Sequence, residues 1–266
     1  MTDQTAALDL ALEPPPGGQI LHQSPRATVI WGDARDPAVI AAVPHGYGLL
    51  CTDPPYGKGY RSNRGRNFQR IQGDDGTVDW PQVLAEWTGP AGTYTRGLAS
   101  KRHLYIFGYT PEQLTGPLRL GGSTELIWDK AICGMGNLQV PWGPGHERIT
   151  FAVHVKQKSQ RETDGGGRLA ARLRRGSVLR YPRPNGDGVT RHATEKPWPL
   201  MADLIESSTV RGDLVVDPCA GSGSTAVAAV LTGRRALVVE IDRHHAETTA
   251  QRVIGAEHIA DRTKAA

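Results

Sequence analysis

Between Asp213 and Asp242 the chain spells out a complete strand, glycine turn, helix and second strand. Leu214 to Val216 is a short apolar run, and Asp217-Pro218-Cys219-Ala220-Gly221-Ser222-Gly223-Ser224-Thr225 is a turn of small residues. An alanine-rich helix follows from Ser224 to Leu231, Gly233 stops it, and Ala236 to Ile241 forms the next apolar run, carrying Glu240. Two strands joined through one helix close as a right-handed parallel crossover, which commits the chain to an α/β sheet. The glycines fit G-x-G-x-x-A, and Glu240 lies nineteen residues after Gly221, near the spacing at which a carboxylate accepts from ribose hydroxyls. Glycines without Cβ atoms let a ligand approach the backbone. Tight strand-to-helix packing would also call for them, but the flanking strands favour a nucleotide site. A dinucleotide and an adenosyl sulfonium both fit this loop.

The rest of the chain extends the same alternation. Apolar runs at Thr28–Trp31, Tyr47–Thr52, His103–Phe107, Glu125–Trp128 and Ile149–Val155 bring the expected strands to seven. Val83–Leu98 and Leu200–Ser207 read as helices, as Ser224–Leu231 does. At 266 residues one catalytic domain with an insertion is the economical division. We place it at 26–255, after a disordered extension (1–25) containing Pro14-Pro15-Pro16-Gly17-Gly18, and before a frayed tail (256–266). No stretch approaches the roughly 18 apolar residues of a membrane span. The N-terminal residues lack a basic start and apolar core, so a cytoplasmic chain with no membrane partner is expected. The three cysteines, Cys51, Cys133 and Cys219, form no C-x-x-C pair, and the nine histidines show no ligand spacing, so no metal is expected.

Charge is unevenly distributed. The formal total is +4, yet residues 156–191 hold ten basic residues against Glu162, Asp164 and Asp187, a local net of +7. A solvated loop would account for it. Gly165-Gly166-Gly167 and the later Tyr181, Pro182 and Pro184 instead suggest an extended arm facing a polyanion, with Lys156, Lys158, Arg168, Arg172, Arg174, Arg175 and Arg180 as its candidate contacts.

Just past the run Gly48 to Thr52 stands Asp53-Pro54-Pro55-Tyr56-Gly57. Ligands of open α/β sheets gather beyond the carboxyl ends of strands. Two prolines could simply stiffen a turn, but a turn needs neither the acid before them nor the tyrosine after. The set suits methylation of an exocyclic amine on a base, whose lone pair is delocalised into the ring. The Asp53 carboxylate and the Pro54 carbonyl would accept from the two amine hydrogens and draw nitrogen toward tetrahedral geometry. Pro54 and Pro55 fix the backbone direction, and Tyr56 offers a face for an extruded base.

At these residues the chain resembles the S-adenosylmethionine-dependent amino-methyltransferases of DNA, which act on N6 of adenine or N4 of cytosine. Asp53 to Tyr56 match the family's catalytic motif, and Asp217 to Thr225 match its cofactor loop, D-P-F-x-G-S-G-T-T. His192-Ala193-Thr194-Glu195-Lys196-Pro197 is similar to the H-P-T-E-K-P element, and Gly32-Asp33-Ala34 to the pair that meets the cofactor adenine. Catalytic motif, basic region and cofactor loop follow in the order of the β group. Ala193 replaces a proline, and Cys219-Ala220 replace a bulkier pair, which implies a roomier cofactor pocket. Cys219 reads as packing rather than as a nucleophile.

The resemblance implies a Rossmann-like methyltransferase fold: a mostly parallel seven-stranded sheet with one antiparallel strand, helices on both faces, and a basic target-recognition insertion at about 156–191. It implies S-adenosylmethionine as cofactor, held by Asp33, Ala34, Asp53, His192, Thr194, Lys196, Pro197, Asp217, Pro218, Cys219, Gly221, Ser222, Gly223, Ser224, Thr225, Glu240 and Ile241. The implied partner is double-stranded DNA, with a homodimer as a candidate assembly, and the implied reaction is direct in-line transfer to a flipped base. Asp53, where N4-cytosine enzymes more often carry serine, favours adenine N6. N4-cytosine methylation, a nicotinamide-dependent oxidoreductase and a catalytically silent DNA-binding protein are the alternatives. His146-Glu147 resembles an H-E pair of the family, though a surface polar pair explains it nearly as well. Trp128, Trp142 and Trp198 read as core or rim.

Overall fold

The computed structural model describes residues 12–57, 59, 71–88, 92–115, 120–132, 139, 141–154, 175–183 and 195–265. In chain order the elements are β1 (Gly18–Gln23), β2 (Ala27–Gly32), α1 (Pro37–Ala41), β3 (Tyr47–Thr52), α2 (Trp80–Thr88), β4 (Leu98–Phe107), α3 (Pro111–Thr115) and β5 (Leu120–Asp129). They continue with β6 (His146–His154), β7 (Val178–Arg180), α4 (Trp198–Ser208), β8 (Leu214–Asp217), α5 (Ser224–Leu231), β9 (Arg235–Glu240) and α6 (Arg243–Ala265). The described strands form one sheet in the order β1-β2-β9-β8-β3-β4-β6-β5-β7.

All seven expected strands are present as the contiguous run from β2 to β5, and within that run β6 alone is reversed, antiparallel to both β4 and β5. The expected count of seven needs correction, because two further strands extend the sheet. At one edge β1 pairs antiparallel with β2, and at the other the three-residue β7 pairs parallel with β5. Residues 18–23 are therefore strand, not part of a disordered extension. The expected helix over 83–98 ends at Thr88, before Pro90, and Leu98 instead opens β4. The expected fraying after Ala256 is also overturned, since α6 continues to Ala265. Its last turns are tied to β1 and the turn after it: His22 Nε2 lies 3.2 Å from Glu257, and Arg26 pairs with Asp261 at 2.5 Å.

Alternate residues of the central strands feed two cores. Val29, Leu49, Cys51, Val215, Ala236 and Val238 pack beneath α4, α5 and α6. Ile30, Leu50, Val216, Leu237 and Val239 pack on the other face with Val39, Leu84 and Trp87 of α1 and α2. Burial on both faces explains why these strands read as continuous apolar runs without polar alternation. Between β8 and its neighbours the chain order reverses: β9 lies on one side and β3 on the other. The loops leaving the carboxyl ends of β3 and β8 diverge there and open a crevice.

Candidate active site

Parallel pairing of Leu49 with Val215 and Leu50 with Val216 sets the ends of β3 and β8 side by side. Asp53–Tyr56 leaves one end and Pro218–Ser222 the other, and both line a cavity of about 260 Å³. Of the expected residues, Asp33, Ala34, Asp53, Pro54, Pro55, Tyr56, Lys196, Asp217, Pro218, Cys219, Gly221, Ser222, Ser224, Thr225, Glu240 and Ile241 lie on its wall. Pro197 and Gly223 stand behind it. Pro197 is the buried N-cap of α4, and Gly223 caps α5 in a left-handed conformation, φ 83°. A Cβ at Gly223 would lie 2.7 Å from the Thr249 side chain of α6, so the loop needs glycine there for both dihedral and space. His192 and Thr194 lie outside the described residues, as do Lys156, Lys158, Arg168, Arg172 and Arg174.

The glycine loop is pinned from three sides. Gly221 N donates to Glu240 Oε2 at 2.7 Å, Cys219 N to Asp217 Oδ1 at 3.0 Å, and Ala220 N to the Val239 carbonyl at 2.9 Å. From α6, Thr249 Oγ1 donates to the Gly221 carbonyl and Arg252 to that of Ser222. Glu240 also accepts from Asp242 N at 2.9 Å, so this carboxylate ties the loop to the end of β9 as well as facing the cavity. Burial pushes Glu240 up to about 7, against the two backbone donors that favour its charged form. Burial likewise lifts Asp217 to about 7, opposed by the Thr225 hydroxyl and the Cys219 N–H. On the opposite wall burial raises Asp33, but Arg35, bound to both carboxylate oxygens, outweighs it and holds the group below its ordinary value.

The catalytic candidates are held as firmly. Tyr56 N donates to Asp74 Oδ1 at 3.0 Å, the Tyr109 hydroxyl donates to the Pro55 carbonyl at 3.1 Å, and the Tyr109 ring meets Tyr56 edge to face at 6.1 Å. The Tyr56 hydroxyl donates to Asp53 Oδ1, and Lys196 Nζ to Asp53 Oδ2. Behind Asp53, Lys196 also pairs with Glu147 at 3.2 Å, and Glu147 pairs with Lys130 at 2.7 Å. Desolvation raises Asp53 in spite of Lys196; Glu147, also desolvated but served by two cations, stays below its usual range.

Glu147 is the principal residue that sequence reasoning left out of the site. The His146-Glu147 pair was visible, but only the fold separates its members, leaving His146 exposed and turning Glu147 onto the cavity wall. Trp128 is core, Trp142 is 83% exposed, and Trp198 is exposed at the start of α4. Of the candidate DNA contacts that are described, Arg175 pairs with Asp203 and Arg180 with Asp129 at 3.2 Å. Among the described residues no group of three or more histidine, cysteine or acidic side chains could hold a metal ion, and no helix is long and apolar enough to cross a membrane.

Comparison with known proteins places this geometry. Residues 122–251 match the DNA methylase family, a stretch that includes Glu147, Lys196, the glycine loop and Glu240. Over that stretch the chain is similar to the DNA amino-methyltransferases of N6-adenine or N4-cytosine type. It is 26% identical over 262 residues to the DNA adenine methyltransferase YhdJ of Escherichia coli (strain K12), covering 87% of this chain and 84% of that one. In fold it is similar to the M1.HpyAVI–SAM complex, with a TM-score of 0.60, 19% identity and coverage of 84% of this chain and 97% of that one. It is similar too to the cytosine-N4-specific PvuII DNA methyltransferase, with a TM-score of 0.62, 14% identity and coverage of 94% and 95%. The fold is thus that of the class I methyltransferases, with a mixed, mostly parallel sheet.

Proposed function

We propose that this enzyme transfers a methyl group from S-adenosylmethionine to the exocyclic N6 of adenine in double-stranded DNA. The observation that carries the reading is a shared cavity: an amine-accepting carboxylate, Asp53, and a glycine loop backed by Glu240 open onto the same space. The wall chemistry favours a cationic adenosyl ligand over a dinucleotide. Eight acidic side chains line the cavity against Arg35 and Lys196, an environment that attracts a sulfonium and repels a pyrophosphate. Ser224 Oγ is buried on that wall without a hydrogen-bond partner, which supports a polar ligand there. Ala34, Asp33, Glu240 and the Gly221–Ser224 turn are the residues that would hold it.

When bound, S-adenosylmethionine supplies an electrophilic methyl group. The chain supplies the rest. Each carboxylate oxygen of Asp53 retains a lone pair beyond its bond to Tyr56 or Lys196, so Asp53 can accept from the target amine. The carbonyl of Pro54, on a backbone stiffened by proline and held by Asp74 and Tyr109, is the second acceptor. Burial raises the proton affinity of Asp53, which equips it to take the proton that the methylated amine releases. Aspartate in place of serine at position 53 and the adenine-specific relative support adenine as the base. The test is mass spectrometry of nucleosides from DNA incubated with purified enzyme and isotopically labelled cofactor. Label in N6-methyladenine is expected. Label confined to N4-methylcytosine overturns the base, and label in neither overturns the DNA substrate.

A further inference from the structure

We propose that Glu147 and Lys196 are positioning residues that fix the direction and the charge of Asp53, and that Lys196 serves this purpose rather than cofactor binding. The inference rests on the reading of Asp53 as the acceptor for the target amine. Four charged side chains from four separate segments converge here: Asp53 after β3, Lys130 after β5, Glu147 on β6 and Lys196 before α4. They alternate in sign along one line, Lys130 to Glu147 to Lys196 to Asp53. Only the last faces a reacting amine. The Lys196 side chain is 6% exposed and that of Lys130 8%. Lys196 Nζ lies 5.1 Å from the Phe107 ring centroid and 5.9 Å from that of Trp128, and Lys130 lies 5.2 Å from the same Trp128 ring.

Burying two ion pairs contributes little to stability, because desolvation cancels most of the attraction; apolar groups of the same volume would hold the fold as well. What the arrangement does supply is a carboxylate with one oxygen clamped by a cation and the other by the Tyr56 hydroxyl, so that its free lone pairs point in a set direction. It also supplies a graded charge. Lys196 favours ionised Asp53, whereas Glu147 disfavours it directly and shares the cation. Among the described residues the other titratable groups facing Asp53 are Tyr56, Tyr109, Asp217, Cys51 and Cys219; burial holds these two thiols and two phenols in their neutral forms. The cation is therefore the charged group that opposes the desolvation of Asp53, with the Tyr56 hydroxyl adding a hydrogen bond in the same direction.

Single-turnover methylation measured against pH reads this network apart from product release. The rate falls on the acid side where Asp53 takes up a proton. Glu147→Gln removes a neighbouring negative charge, so the acid limb moves to lower pH; Lys196→Met removes the cation, so it moves to higher pH, each by about one pH unit or more. Lys196→Arg keeps the charge and keeps the limb near its wild-type position. Cofactor affinity measured by calorimetry stays within about twofold in all three. A merely structural role would lower rates without moving the two limbs in opposite directions. Limbs that do not move, that move together, or that are absent from the wild-type profile overturn the proposal, as does a large loss of cofactor affinity in Lys196→Met with the limb unmoved. Where Lys196→Met does not fold by circular dichroism, Glu147→Gln and Lys196→Arg decide between the same outcomes. Wild-type enzyme that labels neither base removes the underlying reading instead, so the two failures are told apart.

Discussion

At the scale of single residues, Asp53 and Gly108 illustrate two kinds of dependence. On the proposed function Asp53 meets the reacting group itself, so Asp53→Ala is expected to leave S-adenosylmethionine and DNA affinity nearly unchanged while slowing single-turnover methylation by two orders of magnitude or more. Loss of one preorganised partner of this kind is typically worth about 3 kcal/mol in the barrier. Near-normal turnover would remove Asp53 from the chemistry. Gly108 is not on the cavity wall, yet it stands at φ 80°, and a Cβ there would lie 2.0 Å from the Tyr56 ring. Gly108→Ala must therefore displace the tyrosine whose hydroxyl clamps Asp53. Its expected cost is about 1–3 kcal/mol in urea denaturation, with a rate loss exceeding that of a Tyr56→Phe control. Glu240 has a double role, facing the cavity while accepting from Gly221 and Asp242. Glu240→Ala is expected to weaken S-adenosylmethionine binding by about 1–3 kcal/mol in calorimetry, and unchanged affinity would mean the ribose lies elsewhere.

At the scale of elements, the turn between β8 and α5 depends on α6, which lies more than twenty residues further on. Thr249 fills the space a Cβ at position 223 would occupy, so Gly223→Ala combines a left-handed dihedral with a clash. A stability loss of about 2 kcal/mol is expected, and Thr249→Ala in the same chain should recover the steric part but not the dihedral part. Equal stability of Gly223→Ala and wild type in urea would show that the turn relaxes freely. This dependence also marks how far the elements were legible. The seven central strands could be read because burial on both faces leaves continuous apolar runs such as Tyr47–Thr52 and Leu214–Val216. Strand β1 was hidden because Gln19, His22 and Gln23 sit at a half-exposed edge behind a proline run, and β7 because only Leu179 of its three residues is buried. The helix expected over 83–98 was overextended: Pro90, Gly92 and Gly97 were stop signals outweighed by the apolar content. The motif residues of the cavity were legible from their types and spacing. The Lys130–Glu147–Lys196 chain was not, since nothing local in the sequence says that an acid at the start of β6 faces lysines from two distant segments.

At the scale of the whole molecule, the sheet gathers acidic side chains at one crevice while the sequence concentrates basic ones in residues 156–191. On the proposed function the two fields have separate tasks: the acidic wall suits a sulfonium, and a basic segment suits phosphates. Most of the segment lies outside the described residues, but its described members already differ from a uniform basic arm. The guanidinium of Arg175 is engaged by Asp203, which also accepts from the Tyr181 hydroxyl, and Arg180 is paired with Asp129 beside the site. An arginine that already has a carboxylate partner neutralises less of an added phosphate, and it releases fewer counterions when DNA binds. Replacing Arg172 and Arg174 by alanine is therefore expected to flatten the dependence of log affinity on log salt by up to about 0.9 per lost phosphate contact. Arg175→Ala alone should change that slope less, and because Asp203 loses its cation it should instead cost thermal stability. Fluorescence anisotropy with a labelled duplex across a salt series, together with a melting curve for each variant, separates the two effects. Equal slopes for wild type and the Arg172/Arg174 double variant would show that the basic segment is a solvated loop and that the phosphates are held by another part of the surface.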